Sequence, residues 1–443
     1  MKILLIGSGS KEHAIIWKLL ASEKYQDWEI IVAPGNLALN RIAESLDVDI
    51  EDVDKLLEIA IARNINLTII GESRLYAKGI VDRFREANKL ILGPTQAAAK
   101  LESSNCFAKN LMYQNNIPCP RFVSFDNLNL ALAFLNSVKF PIKIRLDKRF
   151  DMADSMMIAT NFKDARQIIK DMFKQKFLSR ELISVVIEEC VEGHEFTINT
   201  ICDGTRALML PPVQSYRNYQ DTSDGYYDLG AYAPTPIITD SLMKRIRYEI
   251  INPTLTAMKA SSDEFYDKSY TGLLAFDLVL DVNDGLQPKL LQYRTTMTDS
   301  DAQVILPLFD EDLYEVLASS ANSDLSFYKD GFHKFLGSAL AVNIVAGDSY
   351  AGLPGHIYNL EILEKINERL EEKYGSLNGV PLVFYGLTGK RNKDSQGAES
   401  EVFGATAVAE NLLDAQILAY KLADTISVPS KCYERNIGDQ GML

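Results

Sequence analysis

Cysteine and histidine are scarce: Cys106, Cys119, Cys190, Cys202 and Cys432 form no CxxC pair, and four histidines are scattered through 443 residues. That spacing offers neither a disulfide framework nor a Cys/His zinc site, so a reducing, cytoplasmic setting is expected. No apolar run approaches the length of a membrane span, and no membrane partner is expected. Met1–Gly9 passes directly into strand-like sequence, so no signal peptide is expected either. Positive charge is also short. The net charge of −14 argues against a general binder of nucleic acid or anionic membrane, though a local basic pocket for a phosphate remains compatible. Internal repeats and low-complexity tracts are absent.

Present instead is ordinary globular composition, 47% apolar and 24% charged, in a chain long enough for about three domains. Lys2–Ile6, Glu29–Ala33, Leu67–Ile70 and Leu90–Leu92 read as short buried strands. Helical patterns at His13–Ala21, Val53–Asn64 and Gly79–Ala87 separate them, which predicts a parallel, helix-covered sheet. Ala97–Asn115 reads as helix, followed by the connector Ile117-Pro118-Cys119-Pro120. Strands are expected at Val185–Glu189, Glu195–Cys202 and Ala207–Leu210, a helix at Leu242–Lys259, and a hairpin pairing Gly272–Leu280 with Lys289–Tyr293. Beyond about residue 330 a third unit is expected from strands Ala339–Val345, Leu382–Tyr385 and Glu401–Ala407 and a helix at Leu412–Ala423.

The strings GSGSKEHA (7–14), VAPGN (32–36), GPTQAAAKLESS (93–104), VIEECVEGHE (186–195), GAYAPTP (230–236), YTGLL (270–274) and YERNIG (433–438) occur in one order from end to end. In that order they resemble the glycinamide ribonucleotide synthetases (phosphoribosylamine–glycine ligases), ATP-grasp enzymes of purine biosynthesis. No single string decides this; the ordered set does. The resemblance implies an N-terminal α/β domain (1–100) on the phosphoribosylamine side. It further implies a split ATP-grasp centre (101–330) with a small lid (118–187), and a small C-terminal α/β domain (331–443). In the family, ATP phosphorylates glycine and the amine of phosphoribosylamine attacks the acyl phosphate. That chemistry needs Mg²⁺, a Gly-rich cover and basic phosphate holders.

The implied ligand sites fall at named residues. Gly7, Ser8 and Gly9, with Asn36, would hold the phosphoribosyl phosphate on a helix N-terminus, although a plain strand-to-helix turn explains the glycines equally well. Arg145 stands where a phosphate-binding lysine is usual. Glu188, Glu189, Cys190 and Val191 match the hinge whose backbone pairs with adenine, and Glu195 matches an acid that holds ribose. A buried strand ending in two acids would show the same periodicity.

Several residues depart from this pattern. The segment Leu290–Pro307 follows a family string like VIEFNARFGDPETQVVLP, but the metal-holding Glu and Asn are Gln292 and Arg294 here. A neutral amide is a weak ligand for a hard cation and a guanidinium offers no lone pair. Asn105 replaces a lysine and Thr296 an arginine. Lys148, Arg149, Asp151, Met152, Ala153 and Asp154 replace a glycine-rich loop, and Tyr227-Asp228 replaces a glycine pair. Asp147 and Asp299 are retained, and Asp299 is the retained acid left as a candidate catalytic residue. The expectation is an ATP-grasp protein with no intact metal site that acts as a nucleotide sensor or as a scaffold for an unknown protein partner. Two alternatives stand beside it: an active ligase with a metal site rebuilt on Glu188, Glu195 or Asp299, and a ligase for another acid and amine.

Overall fold

The computed structural model describes residues 1–36, 38–148, 156–179, 184–218, 227–261, 269–328, 331–332, 337–346, 365–374, 378–386, 401–427 and 431–442. The chain begins with a parallel sheet in the order β3-β2-β1-β4, formed by β1 (Lys2–Gly7), β2 (Glu29–Pro34), β3 (Glu44–Ser45) and β4 (Leu67–Ile70). β1, β2 and β4 are largely buried apolar runs because helices cover both faces of the sheet. Ile3 and Leu5 pack toward the Ser10–Leu20 helix, and Leu4 and Ile6 toward the helices at Val53–Ala62 and Ile80–Glu86. Leu90–Leu92 is not a full strand; it joins the sheet through one bridge, Thr68 to Ile91.

A second, antiparallel sheet forms the lid, in the order β5-β8-β6-β7: β5 (Phe122–Phe125), β6 (Ile142–Leu146), β7 (Met156–Ala159) and β8 (Val185–Glu189). Its core comprises Ile142, Ile144 and Leu146 on alternate positions of β6, packed against the Phe162–Ser179 helix. Lys143 and Arg145 therefore project from the opposite face, because side chains alternate along a strand.

The third sheet is the largest. It runs β13-β12-β9-β10-β11-β15-β17-β16, with β14 beside β10 and β18 beside β15. Its strands are β9 (Gly193–Asp203), β10 (Ala207–Asn218), β11 (Tyr227–Ala233), β12 (Thr271–Asp281), β13 (Gln287–Arg294), β14 (Gly331–Phe332), β15 (Ser338–Ala346), β16 (Val380–Tyr385), β17 (Glu401–Ala409) and β18 (Lys431–Cys432). The C-terminal strands thus extend the central sheet, since Gly230–Ala233 of β11 pairs directly with Ala339–Val342 of β15. β12 and β13 form the expected antiparallel hairpin, with Gly285 at φ +60° where the chain reverses.

Two expected helices are interrupted. Ala97–Asn115 breaks at Ser104, whose side chain accepts from the Phe107 N–H and starts a new helix at Asn105. The Leu242–Lys259 segment contains a π-helical stretch at Arg247–Ile251 just before Pro253, which cannot continue an α-helical hydrogen-bond ladder.

Candidate active-site cleft

The cleft lies between the lid face carrying Lys143 and Arg145 and the sheet face carrying Gln292. Thr197, Asp277 and Gln292 are in register across β9, β12 and β13, so their side chains share one face of the central sheet. Thr197 Oγ1 donates to Asp277 Oδ1 at 2.7 Å, and Gln292 Nε2 donates to Asp277 Oδ2 at 2.7 Å. Arg294, two residues beyond Gln292, folds back onto the same carboxylate: Nε lies 3.0 Å from Asp277 Oδ2 and Nη2 3.0 Å from Oδ1. Nη2 also reaches Asp301 Oδ2 at 2.9 Å, and Nη1 donates to the Thr296 carbonyl at 3.3 Å. Arg294, Asp277 and Asp301 are all buried.

The lid contributes the other half of the network. Arg145 Nη1 donates to Gln292 Oε1 at 2.8 Å, and Arg145 Nε to Glu188 Oε1 at 2.5 Å. Lys109, from the Asn105–Gln114 helix, pairs with Glu188 Oε2 at 2.7 Å and donates to the Leu291 carbonyl at 3.0 Å. Burial alone would raise the Glu188 pKa, but Lys109, Arg145 and Lys143 outweigh it and bring it down to about 2. A continuous chain of contacts therefore runs Lys109–Glu188–Arg145–Gln292–Asp277–Arg294–Asp301 across the cleft. Its three cations and three carboxylates cancel.

Other replacements have local structural jobs. Asn105 Nδ2 donates to the Leu146 carbonyl at 2.6 Å, and Asp147 caps the same helix by accepting from Ser104 Oγ and the Cys106 N–H. Asp228 accepts from the Ser300 N–H and hydroxyl, fastening β11 to the start of the Asp299–Ile305 helix. Arg149, Asp151, Met152, Ala153 and Asp154 lie outside the described residues.

At the hinge, the Arg121 N–H donates to Glu189 Oε1 at 2.9 Å. Cys190 and Val191 leave β8 with no hydrogen bond among the described residues. Glu195 stands on β9, paired with Val279. Lys109 and Arg145 hold both oxygens of the Glu188 side chain.

The N-terminal loop also departs from a simple phosphate cradle. The Gly9 N–H donates to Glu12 Oε2 at 2.6 Å and the Lys11 N–H to Asp299 Oδ1 at 2.9 Å, so internal carboxylates occupy these helix-start donors. Asn36 is a bracket, donating to the Ser8 and Gly386 carbonyls and accepting from the Ala38 and Leu39 N–H groups. Asp299 thus ties the N-terminal domain to the centre, as does Gln303 Nε2 to Ser10 Oγ at 2.9 Å. Burial raises the Glu12 pKa to about 7 against the pull of Lys11. Gly71 is needed beside it, because a Cβ there would lie 1.7 Å from Glu12 Oε1.

Sequence reading missed Asp277, Asp301, Lys109 and Lys143. The signal for Asp277 was an acid inside the otherwise apolar run Thr271–Leu280, a costly placement unless a buried cation meets it. For Asp301 it was the spacing Thr298-x-x-Asp301, a helix-capping pattern that the structure confirms.

A lid sheet closing over a central antiparallel sheet, with the cleft between them, defines the ATP-grasp class. The family descriptions "Phosphoribosylglycinamide synthetase, N domain" and "Phosphoribosylglycinamide synthetase, ATP-grasp (A) domain" match residues 1–102 and 103–302. A phosphoribosylamine–glycine ligase from Chlorobaculum tepidum is 30% identical over 448 aligned positions that cover 100% of both chains. One from Xylella fastidiosa is 32% identical over 82% of this chain and 84% of its own. The solved structure of the Thermotoga maritima phosphoribosylamine–glycine ligase superposes with a TM-score of 0.74 at 20% identity, covering 99% of this chain and 100% of that one. The biotin carboxylase domain of Hydrogenobacter thermophilus 2-oxoglutarate carboxylase shares the fold at a TM-score of 0.70 and 12% identity, over 97% of this chain and 91% of that one. The chain belongs to the phosphoribosylamine–glycine ligase family, ATP-binding ligases of purine biosynthesis. Among the described residues, no helix is long and apolar enough to cross a membrane.

Proposed function

We propose that this chain is a cytoplasmic family member that keeps the nucleotide cleft and has given up metal-assisted activation of glycine, serving as a nucleotide sensor or a protein scaffold. The observation that carries this reading is the Arg294 guanidinium held between Asp277 and Asp301. Residues 292 and 294 do not fit a magnesium ion. Arg294 has no lone pair and brings a positive charge to the place a cation would take, while the Gln292 carbonyl oxygen already accepts from Arg145. Two of the three acids considered as replacement ligands are also engaged, Glu188 by Lys109 and Arg145 and Asp299 by the Lys11 N–H, while Glu195 stands on β9. The active-ligase reading is favoured by similarity over the full chain. It requires Arg294 to leave before Asp277 and Asp301 could serve a metal.

The test supplies purified protein with ATP, Mg²⁺, glycine and freshly generated phosphoribosylamine. ADP release is expected to stay at the level seen without amine. Robust glycine-dependent turnover would overturn the proposal, and turnover with only a different acid and amine would identify a ligase of altered substrate.

A further inference from the structure

The outer edge of the central sheet is closed by a side chain from another domain. Among the described residues β16 has one strand neighbour, β17, so every second backbone N–H along it points away from the sheet. At the end of that strand the Tyr385 N–H donates to His13 Nδ1, on the Ser10–Leu20 helix, at 3.1 Å. One position on, the Gly386 carbonyl accepts from Asn36 Nδ2 at 3.1 Å. The buried His13 ring packs edge-on to Phe384 with centroids 5.6 Å apart and lies 4.8 Å from the Tyr385 ring, while Trp17 meets Phe384 edge-on at 5.9 Å. Two hydrogen bonds and an aromatic cluster thus dock the end of β16 on the N-terminal domain.

We propose that His13 is an acid-sensitive latch: as the neutral ring it holds the end of β16 against the N-terminal domain, and as the imidazolium it lets residues 384–386 go, reopening that edge of the sheet. An imidazole that accepts at Nδ1 carries its proton on Nε2, and a second proton goes to the nitrogen that receives the Tyr385 N–H. Protonation therefore removes the acceptor and sets two N–H groups against each other. Nothing nearby steadies the new charge. Tyr385 is the titratable group that β16 brings to the ring. Lys11 and Glu12 on the same helix, and Asp299 on the helix packed against it, act on one another rather than on His13. Burial pushes the His13 pKa down to about 4. A histidine held below its ordinary 6.5 stabilises the docked form fully above about pH 6.5 and progressively less as pH falls toward 4. The latch needs no nucleotide in the cleft and is independent of which form of the proposed function holds.

The test is amide hydrogen exchange in the full chain at about pH 7.5 and about pH 5, corrected for the intrinsic pH dependence of exchange. Between these conditions the opening equilibrium reported by the Tyr385 amide should rise about 30-fold, the ratio set by a pKa of 6.5 when released and about 4 when docked. Amides of β12, in the interior of the sheet, should change far less. His13→Phe keeps an aromatic ring beside Phe384 without an acceptor, so its Tyr385 amide should open readily at both pH values and show no such rise. Titration of the His13 ring by NMR, its resonances identified by their loss in His13→Phe, should give a midpoint below 6.5. No rise at Tyr385, an equal rise in β12, a rise that persists in His13→Phe, or a His13 midpoint at or above 6.5 would overturn the latch. Should His13→Phe fail to fold, the wild-type comparison of Tyr385 with β12 decides by itself.

Discussion

The two ends of the cleft treat charge in opposite ways. At the far end, Arg294 and Arg145 are saturated by Asp277, Asp301, Gln292 and Glu188, within a buried network whose charges cancel. At the hinge end, Lys143 is partly buried, faces the Glu188 charge without a direct hydrogen bond or ion pair among the described residues, and the backbone of Cys190 and Val191 makes no hydrogen bond among them. Satisfied groups hold the fold, and unsatisfied ones mark where a ligand gains most. In this protein, the far end forms a strut between the β5–β8 sheet and the central sheet. Among the described residues, the hinge end has no such strut. A site's residue types alone would not separate these cases, since both ends contain cations.

The largest expected effect comes from cutting the strut at its most heavily paired member. Arg294→Met leaves Asp277 and Asp301 buried without their cation, a loss of about 3–5 kcal/mol by analogy with other broken buried pairs. Urea unfolding should show it as a lower midpoint at unchanged slope. A variant as stable as wild type would mean that the carboxylates find water or protons without penalty, and the contrast between the two ends would lose its basis.

A smaller effect should appear in acid. The Glu188 pKa falls from its ordinary 4.5 to about 2, because Lys109, Arg145 and Lys143 overcome its burial. A carboxylate depressed in the folded state contributes stability that is present above about pH 4.5 and lost as pH falls toward 2. The difference corresponds to about 3 kcal/mol at about 1.4 kcal/mol per unit. Glu188→Gln should lower stability at neutral pH and flatten its fall across that window. Parallel pH curves for variant and wild type would show that Glu188 is not the titrating link.

Much of the fold was legible because it is written in local pattern. The β1 run, the Val185–Glu189 strand and the β12–β13 hairpin announce themselves through apolar runs and the Asn283-Asp284-Gly285 reversal. The sharing of one sheet by β11 and β15 was not legible, since a pairing between residues about a hundred apart leaves no local trace. At the cleft, the sequence identified Gln292 and Arg294 as replacements. It did not show that Arg294 is neutralised, because its partners Asp277 and Asp301 sit in other elements and meet it only through sheet register and a helix start. The internal contacts of Glu188 and Gly9 were not legible for the same reason: each residue's partner is remote or folds back from the next turn.

The smallest and most specific effect concerns whether the strut can be turned back into a metal site. Gln292→Glu adds a carboxylate, and Arg294→Asn removes a guanidinium and supplies an amide oxygen. Together they change the local charge by two units, which one divalent ion offsets. Either substitution alone falls short: Gln292→Glu leaves Arg294 repelling the metal, while Arg294→Asn leaves one strong oxygen ligand too few. Magnesium should therefore raise the melting temperature of the double variant and not that of wild type. The two changes should couple by about 1–3 kcal/mol in Mg²⁺-dependent ATP affinity, because they share one ion. Glycine ligation should still not appear, because Asn105 remains tied to the Leu146 carbonyl and Thr296 still offers no guanidinium. Strict additivity, or no metal response at all, would mean that the Lys109–Glu188–Arg145 half of the strut keeps the cleft closed by itself. The scaffold form of the proposed function would then be the one to pursue.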